Sequence, residues 1–306
     1  MKVTVFGSGY VGLNTGVVLA YLKHHVICVD QDVNKIESLK NGRSPIYEHG
    51  LKTLLRETKE RIEFTSDLKS SVSGADVIII AVGTPAAPSG EADTSYLEAA
   101  VNQVAGALET GRNYTIVIKS TVPVGTNCRI AVNVNQIIAS RGIKPKLNFV
   151  SNPEFLREGM ALSDTLYPDR IVAGSDHFEG ITILRQMYLP ILQQFFTPPP
   201  ELPRPRGFKP PVLVETSLTS AEMIKYASNA FLALKISYIN EIGGLCEKTG
   251  ADVKEVAYGM GLDPRIGPRF LNAGIGWGGS CFPKDTLALT ALGAAYDYSM
   301  PIIEAA

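Results

Sequence analysis

The 306 residues carry 29 Lys and Arg against 30 Asp and Glu, a formal net charge of −1, with 45% hydrophobic and 19% charged residues. That balance lacks the basic excess of a nucleic-acid binder, and no apolar run approaches the roughly 20 residues of a membrane helix. Neither nucleic acid nor a membrane is an expected partner. At this length two domains are expected, or one large α/β domain with a helical appendage.

The N-terminus, MKVTVFGSG, enters a strand-like run directly, without the basic region and apolar core of a secretory signal, so a cytoplasmic location is expected. Residues 2–6 form a β-branched run, 11–22 carry apolar residues at helical spacing, and 26–29 form a second apolar run, together one βαβ unit. Further strands are expected at 76–81, 114–119, 147–150, 171–173 and 212–214, with helical stretches between most of them. Such alternation predicts a doubly wound, Rossmann-type parallel sheet covered on both faces. The Pro-rich stretch TPPPELPRPRGFKPP at 197–211 reads as an exposed loop or hinge. From Ser217 one helix of about 30 residues is expected, ending at Gly243, Gly244 or Gly250, and no strand pattern returns. The last residues look like the first turns of a helix cut mid-element.

Gly7, Gly9 and Gly12 form GxGxxG between a strand and a helix, where a tight turn lets a pyrophosphate approach the helix N-terminus. Asp30 ends the next strand, about 20 residues on, where a carboxylate accepts from a ribose diol and repels a 2′-phosphate. NAD is therefore the expected cofactor rather than NADP. Lys35, one turn beyond Asp30, can reach the adenosine end or remain solvated. Thr84 and Thr121 follow strand ends, where ligands bind in open α/β sheets, though their hydroxyls could equally cap the next helix.

The four cysteines, Cys28, Cys128, Cys246 and Cys281, lack CxxC spacing, so neither a disulfide framework nor a metal site is expected. The first three read as buried thiols. Cys281 follows a glycine cluster and precedes Pro283 at a helix start. A thiol at a helix N-terminus beside a cation such as Lys284 ionises more readily, and the thiolate is the nucleophile. Asp285 shares its helical face, placed to position a water or a proton. On the long helix, Lys225 and Asn229 lie four apart on one face and form a potential donor pair for an oxyanion.

The motifs GSGYVG at 7–12, GTP at 83–85, STVPVGT at 120–126, SNPEFLREG at 151–159, SAEMIKYASNAFLALKISYINE at 220–241 and GGSCFPKD at 278–285 together resemble the UDP-glucose 6-dehydrogenase family. The likeness runs in order along essentially the whole chain. It implies oxidation of UDP-glucose at C6 to UDP-glucuronate in two NAD-dependent steps, through a thiohemiacetal and a thioester on Cys281. By motif, Lys225 and Asn229 would stabilise the oxyanion, while Asp285 and Glu154 would handle water and protons. Tyr10 and Val11 would join the glycines at the cofactor, and Thr121, Glu158 and Lys284 would lie near its nicotinamide half. Glu154, Phe155, Leu156, Arg157, Glu158, Arg265, Phe270, Leu271, Asn272, Ala273, Gly274 and Gly278 would line the sugar nucleotide. The family normally continues with a second Rossmann-like domain, which implies that much of the uridine site lies outside these residues. A related sugar nucleotide, UDP-N-acetylmannosamine or GDP-mannose, and a non-catalytic NAD-binding fragment are the alternative readings. Residues 1–212 are expected to form the NAD-binding domain, and 213–306 a smaller all-helical domain carrying Cys281, whose long helix would mediate homodimerisation.

Overall fold

Strands that are apolar at every position need cover on both faces. The computed structural model, which describes residues 1–306, supplies it. In chain order the elements are β1 (Lys2–Phe6), α1 (Tyr10–Tyr21), β2 (His25–Val29), α2 (Val33–Lys40), α3 (Leu51–Glu57), β3 (Ile62–Thr65), α4 (Leu68–Val72), β4 (Val77–Ile80), α5 (Ser95–Ala107), β5 (Asn113–Ile118), α6 (Thr126–Ser140), β6 (Lys146–Ser151), α7 (Ala161–Leu166), β7 (Arg170–Gly174), α8 (Phe178–Leu192), β8 (Val212–Thr216), α9 (Leu218–Thr249), α10 (Val253–Gly261), α11 (Phe282–Ala295) and α12 (Pro301–Ala305). The strands form one sheet in the order β3-β2-β1-β4-β5-β6-β7-β8. All neighbours run parallel except β6 and β7, which meet antiparallel at Ser151 and Gly174.

The pleat of β4 shows how the core divides. Val77 and Ile79 face one buried layer, with Leu13 of α1, Leu51 and Leu54 of α3, Leu162 of α7 and Leu184 of α8. Ile78 and Ile80 face the other, with Leu97 and Val104 of α5 and Ile130 and Val134 of α6. Successive residues of a strand point to opposite faces, so a VIII run is what a doubly covered strand requires.

The chain divides into two compact units, Met1–Thr84 with Thr94–Glu222, and Pro85–Asp93 with Met223–Ala306. The first holds the sheet. The second is helical and has its own small core of Tyr226, Ala230, Ala288 and Leu289, against which Leu292, Met300 and Ile303 pack.

Two features depart from what the sequence predicts. The edge strand β3 was not expected: of its four residues only Ile62 and Phe64 are buried, and the exposed Glu63 between them breaks the apolar run. The Pro-rich stretch is not simply an exposed loop. Leu202 is buried, its carbonyl accepts from the Tyr167 hydroxyl at 2.8 Å, and Phe208 meets the Tyr167 ring edge-on at 5.5 Å. Glu201 also accepts from Thr53 at 2.6 Å, so the segment is strapped to the sheet unit by side chains that prolines do not disturb. Of the three expected stops the long helix α9 takes the last: it passes through Gly243 and Gly244 and ends at Thr249, before Gly250, whose φ of 77° suits a left-handed helix stop.

Candidate active site

In the sheet unit the glycine turn is built by close backbone approach. Gly7 has φ +90°, and a Cβ there would lie 2.6 Å from the Ala81 carbonyl oxygen; one at Gly12 would lie 1.8 Å from that of Gly7. A Cβ at Gly9 would meet nothing within 4 Å. Two glycines are thus demanded by the turn itself, while the third leaves open space before α1. The Ser8 hydroxyl there is buried and unpartnered.

Asp30 is held by three donors. Its Oδ2 accepts from the Ser8 N–H at 2.8 Å and from Lys35 Nζ at 2.8 Å, and its Oδ1 accepts from the Asp32 N–H at 3.0 Å. Burial alone would raise its pKa, but these donors outweigh it and hold the carboxyl below its ordinary value. A fixed anion there opposes a 2′-phosphate. These residues fit NAD: Gly7, Gly9, Tyr10, Val11 and Gly12 offer the pyrophosphate a helix N-terminus, and Asp30 with Lys35 offers the ribose a carboxylate and an ammonium. The N-terminus of α6 makes the contrast. There buried Glu222 accepts from the Gly125 N–H at 2.6 Å and from the Asn127 N–H and amide, each at 2.7 Å, so the protein's own carboxylate closes the end of that helix.

Glu222 lies in the SAEMIKYASN run, where nothing local marks it, because only the fold shows what it caps. Burial pushes its carboxyl up, and the three N–H donors bring it only part of the way back. Glu222→Gln, which turns one acceptor into a donor facing another donor, is expected to cost about 1–3 kcal/mol. Urea unfolding at neutral pH with an unchanged m-value checks it. A midpoint equal to the parent's would show that the cap contributes nothing.

The strand-end turns are joined by the Thr84 hydroxyl, which donates to the Thr121 carbonyl at 2.7 Å. Beyond β6, buried Glu154 accepts from the Leu156 N–H at 2.6 Å. Phe155 lies under the Arg170 guanidinium at 3.9 Å, and Arg157 is paired with Asp164. Glu158 stands close enough to Tyr10 for its charge to be felt at the hydroxyl.

In the helical unit, Lys225, Asn229 and Asp285 are all buried, Asp285 with 0% of its surface exposed. Asn229 Nδ2 donates to Asp285 Oδ2 at 2.6 Å and Lys284 Nζ to Asp285 Oδ1 at 2.6 Å. A buried carboxylate is costly unless paired, and the two donors compensate it. The Lys284 ammonium, expected near the nicotinamide half of the cofactor, is held in place by this carboxylate. Cys281 is the N-cap of α11, half-buried, one turn before Asp285, whose N–H donates to the Cys281 carbonyl at 2.8 Å. Cys28 and Cys246 are buried, and burial pushes the Cys28 thiol up to about 12. Cys128 is half-buried, and burial raises it as well.

The loop before Cys281 is stitched to α9. The Gly274 N–H donates to Asn240 at 2.8 Å and the Trp277 indole to Ser237 at 2.8 Å. Phe282 touches both Phe270, at 6.2 Å between ring centroids, and Trp277, at 6.5 Å. Leu271 is buried, whereas Asn272, Ala273, Gly274 and Gly278 are exposed. Arg265 is clamped to Asp263 in an exposed turn.

Residues 1–192 match the UDP-glucose/GDP-mannose dehydrogenase family's NAD binding domain, and residues 219–306 match the same family's central domain. The chain belongs to the UDP-glucose/GDP-mannose dehydrogenase family. It is 46% identical to the UDP-glucose 6-dehydrogenase TuaD of Bacillus subtilis over 99% of this chain and 61% of that protein. Among solved structures it resembles a UDP-glucose dehydrogenase from Pyrobaculum islandicum, at TM-score 0.87 and 39% identity, covering 99% of this chain and 66% of that one. It also resembles a GDP-mannose dehydrogenase from Pseudomonas aeruginosa, at TM-score 0.77 and 31% identity, covering 99% and 67%. The chain spans 61–66% of the length of these curated relatives, the second being a UDP-glucose 6-dehydrogenase of Rhizobium meliloti that is also 46% identical. No helix is long and apolar enough to cross a membrane.

Proposed function

We propose that the chain carries the cofactor and thiol machinery of an enzyme that oxidises UDP-glucose at C6 to UDP-glucuronate in two steps. The observation that carries this reading is the set at the start of α11: a half-buried thiol at a helix N-terminus, one turn before a buried carboxylate bonded to Asn229 and Lys284. NAD, when bound, accepts a hydride in each oxidation. Glu154 takes the proton of the C6 hydroxyl as the aldehyde forms. Cys281, as thiolate, adds to the aldehyde carbon, and the new alkoxide oxygen is received by the Lys225 ammonium and the Asn229 amide. Loss of hydride from that carbon restores its double bond to oxygen and leaves a thioester. Asp285 then directs a water onto the thioester; the C–S bond breaks, Cys281 leaves as thiolate, the sugar is released as a carboxylate, and both protons of the water pass to solvent. Asp285 fixes the amide plane of Asn229, so the second N–H of that amide keeps one direction throughout. Thr121 and Glu158 flank the cofactor in this reading, and Phe155, Leu156, Arg157, Arg265 and residues 270–274 with Gly278 flank the sugar nucleotide.

UDP-glucose is favoured over GDP-mannose because the relatives at 46% identity are named for the first sugar and the neighbour at 31% for the second. Counting NADH per sugar on this chain tests both points. Two NADH per UDP-glucose and none from GDP-mannose or UDP-N-acetylmannosamine support the reading. No NADH from any of them, with NAD retained, would confine these residues to cofactor binding.

The long helix supports homodimerisation in solution. Phe231, Tyr238 and Leu245 recur every seven residues on α9 and are 60%, 47% and 58% exposed. An apolar stripe of that length is covered most simply by a second copy of itself. Phe231→Glu with Leu245→Glu is expected to give a monomer at concentrations where the parent sediments as a dimer, and a parent that is already monomeric would sink the idea.

A further inference from the structure

One partly buried hydrogen-bond network in the sheet unit is used neither by the cofactor turn nor by the thiol chemistry. Tyr10 is the first residue of α1 and follows Gly9, so its backbone lies at the helix end that fits the pyrophosphate. Its side chain points elsewhere. The hydroxyl donates to Glu48 Oε2, accepts from the Gly159 N–H at 2.7 Å, and has the Arg157 carbonyl at 3.2 Å. The other oxygen of Glu48 accepts at 2.9 Å from the N–H of Ala161, the first residue of α7. Glu48 is buried, in the loop between α2 and α3, far from both partners in sequence. Burial, and then the bond to Glu48, pushes the Tyr10 hydroxyl well above its ordinary value, so it remains a neutral donor at working pH.

The segment so held, between β6 and α7, carries Glu154, Phe155, Leu156, Arg157 and Glu158. Its near end is folded on itself by the Leu156 N–H to Glu154 bond. At its far end the Gly159 and Ala161 N–H groups are both taken by the Tyr10–Glu48 pair, while that of Met160 between them turns back to the Arg157 carbonyl at 3.0 Å. We infer that Tyr10 and Glu48 are positioning residues that couple the cofactor helix to the 154–160 segment, so that NAD binding at α1 orders the residues assigned to the sugar nucleotide. A shift of α1 at its first residue moves the hydroxyl that anchors Gly159, and through Glu48 the first turn of α7. Coupling of this kind is reciprocal: whatever NAD does to the segment, the ordered segment does to NAD affinity.

This rests on the assignment of NAD to the glycine turn. The test is amide hydrogen exchange with and without NAD, together with NAD affinity by calorimetry, on the parent, Tyr10→Phe and Glu48→Gln. In the parent, NAD is expected to slow exchange both at residues 7–14 and at 155–162. In each variant the slowing at 7–14 should persist while that at 155–162 is lost, and the NAD Kd should rise about fivefold or more. Slowing at 155–162 equal to the parent's, with NAD Kd within twofold, would overturn the coupling and leave the pair as a structural brace. A parent with no slowing at 7–14 would overturn the cofactor assignment itself and the coupling with it. Both variants are near-isosteric, and if one fails to fold the other carries the comparison. No sugar is needed, so the outcome is independent of which substrate the thiol serves.

Discussion

Cys281→Ser is expected to lower the steady-state rate of NADH formation with UDP-glucose by about 10³-fold or more, equivalent to about 4 kcal/mol of barrier. A serine hydroxyl at the N-cap of α11 is not a thiolate at neutral pH, and an aldehyde it fails to capture leaves without the second oxidation. Rapid-mixing measurements should therefore show at most one NADH per sugar before the reaction stalls. Cys128→Ser, half-buried on α6 and outside the proposed chemistry, should keep the parent's rate. Alkylation supplies a second readout. Iodoacetamide should label Cys281 ahead of Cys28, whose thiol is buried and pushed up to about 12. Full turnover in Cys281→Ser would require another nucleophile and would remove the covalent step from the reading.

The second large effect separates two glycines that a sequence motif treats alike. At Gly12 a Cβ would sit 1.8 Å from the Gly7 carbonyl oxygen, whereas ordinary contact begins near 3.4 Å, so Gly12→Ala must push α1 away from the turn. An overpacked backbone contact costs about 1–3 kcal/mol or more, and the displaced helix end should lose most of its NAD affinity. At Gly9 the backbone has φ −77° and an added Cβ meets nothing within 4 Å. Gly9→Ala should therefore melt like the parent yet bind NAD at least about tenfold more weakly, a loss of about 1.4 kcal/mol, because the methyl group fills the space that suits a pyrophosphate. Thermal melts and calorimetry on the two variants decide the matter. Equal NAD affinity in Gly9→Ala and the parent would place the pyrophosphate elsewhere.

Local chemistry was legible in the sequence wherever one element carries it whole. The apolar runs of β1, β4 and β5 announce doubly covered strands, since a strand with polar cover on one face alternates. GxGxxG announces its turn because only glycine tolerates the approach of Ala81 and Gly7 carbonyl oxygens, and Cys281 with Pro283 announces a helix start. The four-residue spacing of Lys225 and Asn229 places them on one face of α9. What those groups touch was not legible. Asn229 meets Asp285 across 56 residues, Tyr10 meets Glu48 across 38, and Glu222 reaches Asn127 across 95. Hydrogen bonds of that kind leave no periodic trace, because either partner alone reads as an ordinary polar residue. The edge strand β3 escaped for a related reason: two buried side chains are too few to form a pattern. Sequence by itself determined which chemical groups this chain carries on which local turns and helix faces, since that depends on residue type and local backbone. Tertiary structure alone decided which of them are buried, capped or paired, since those states depend on what distant segments bring alongside.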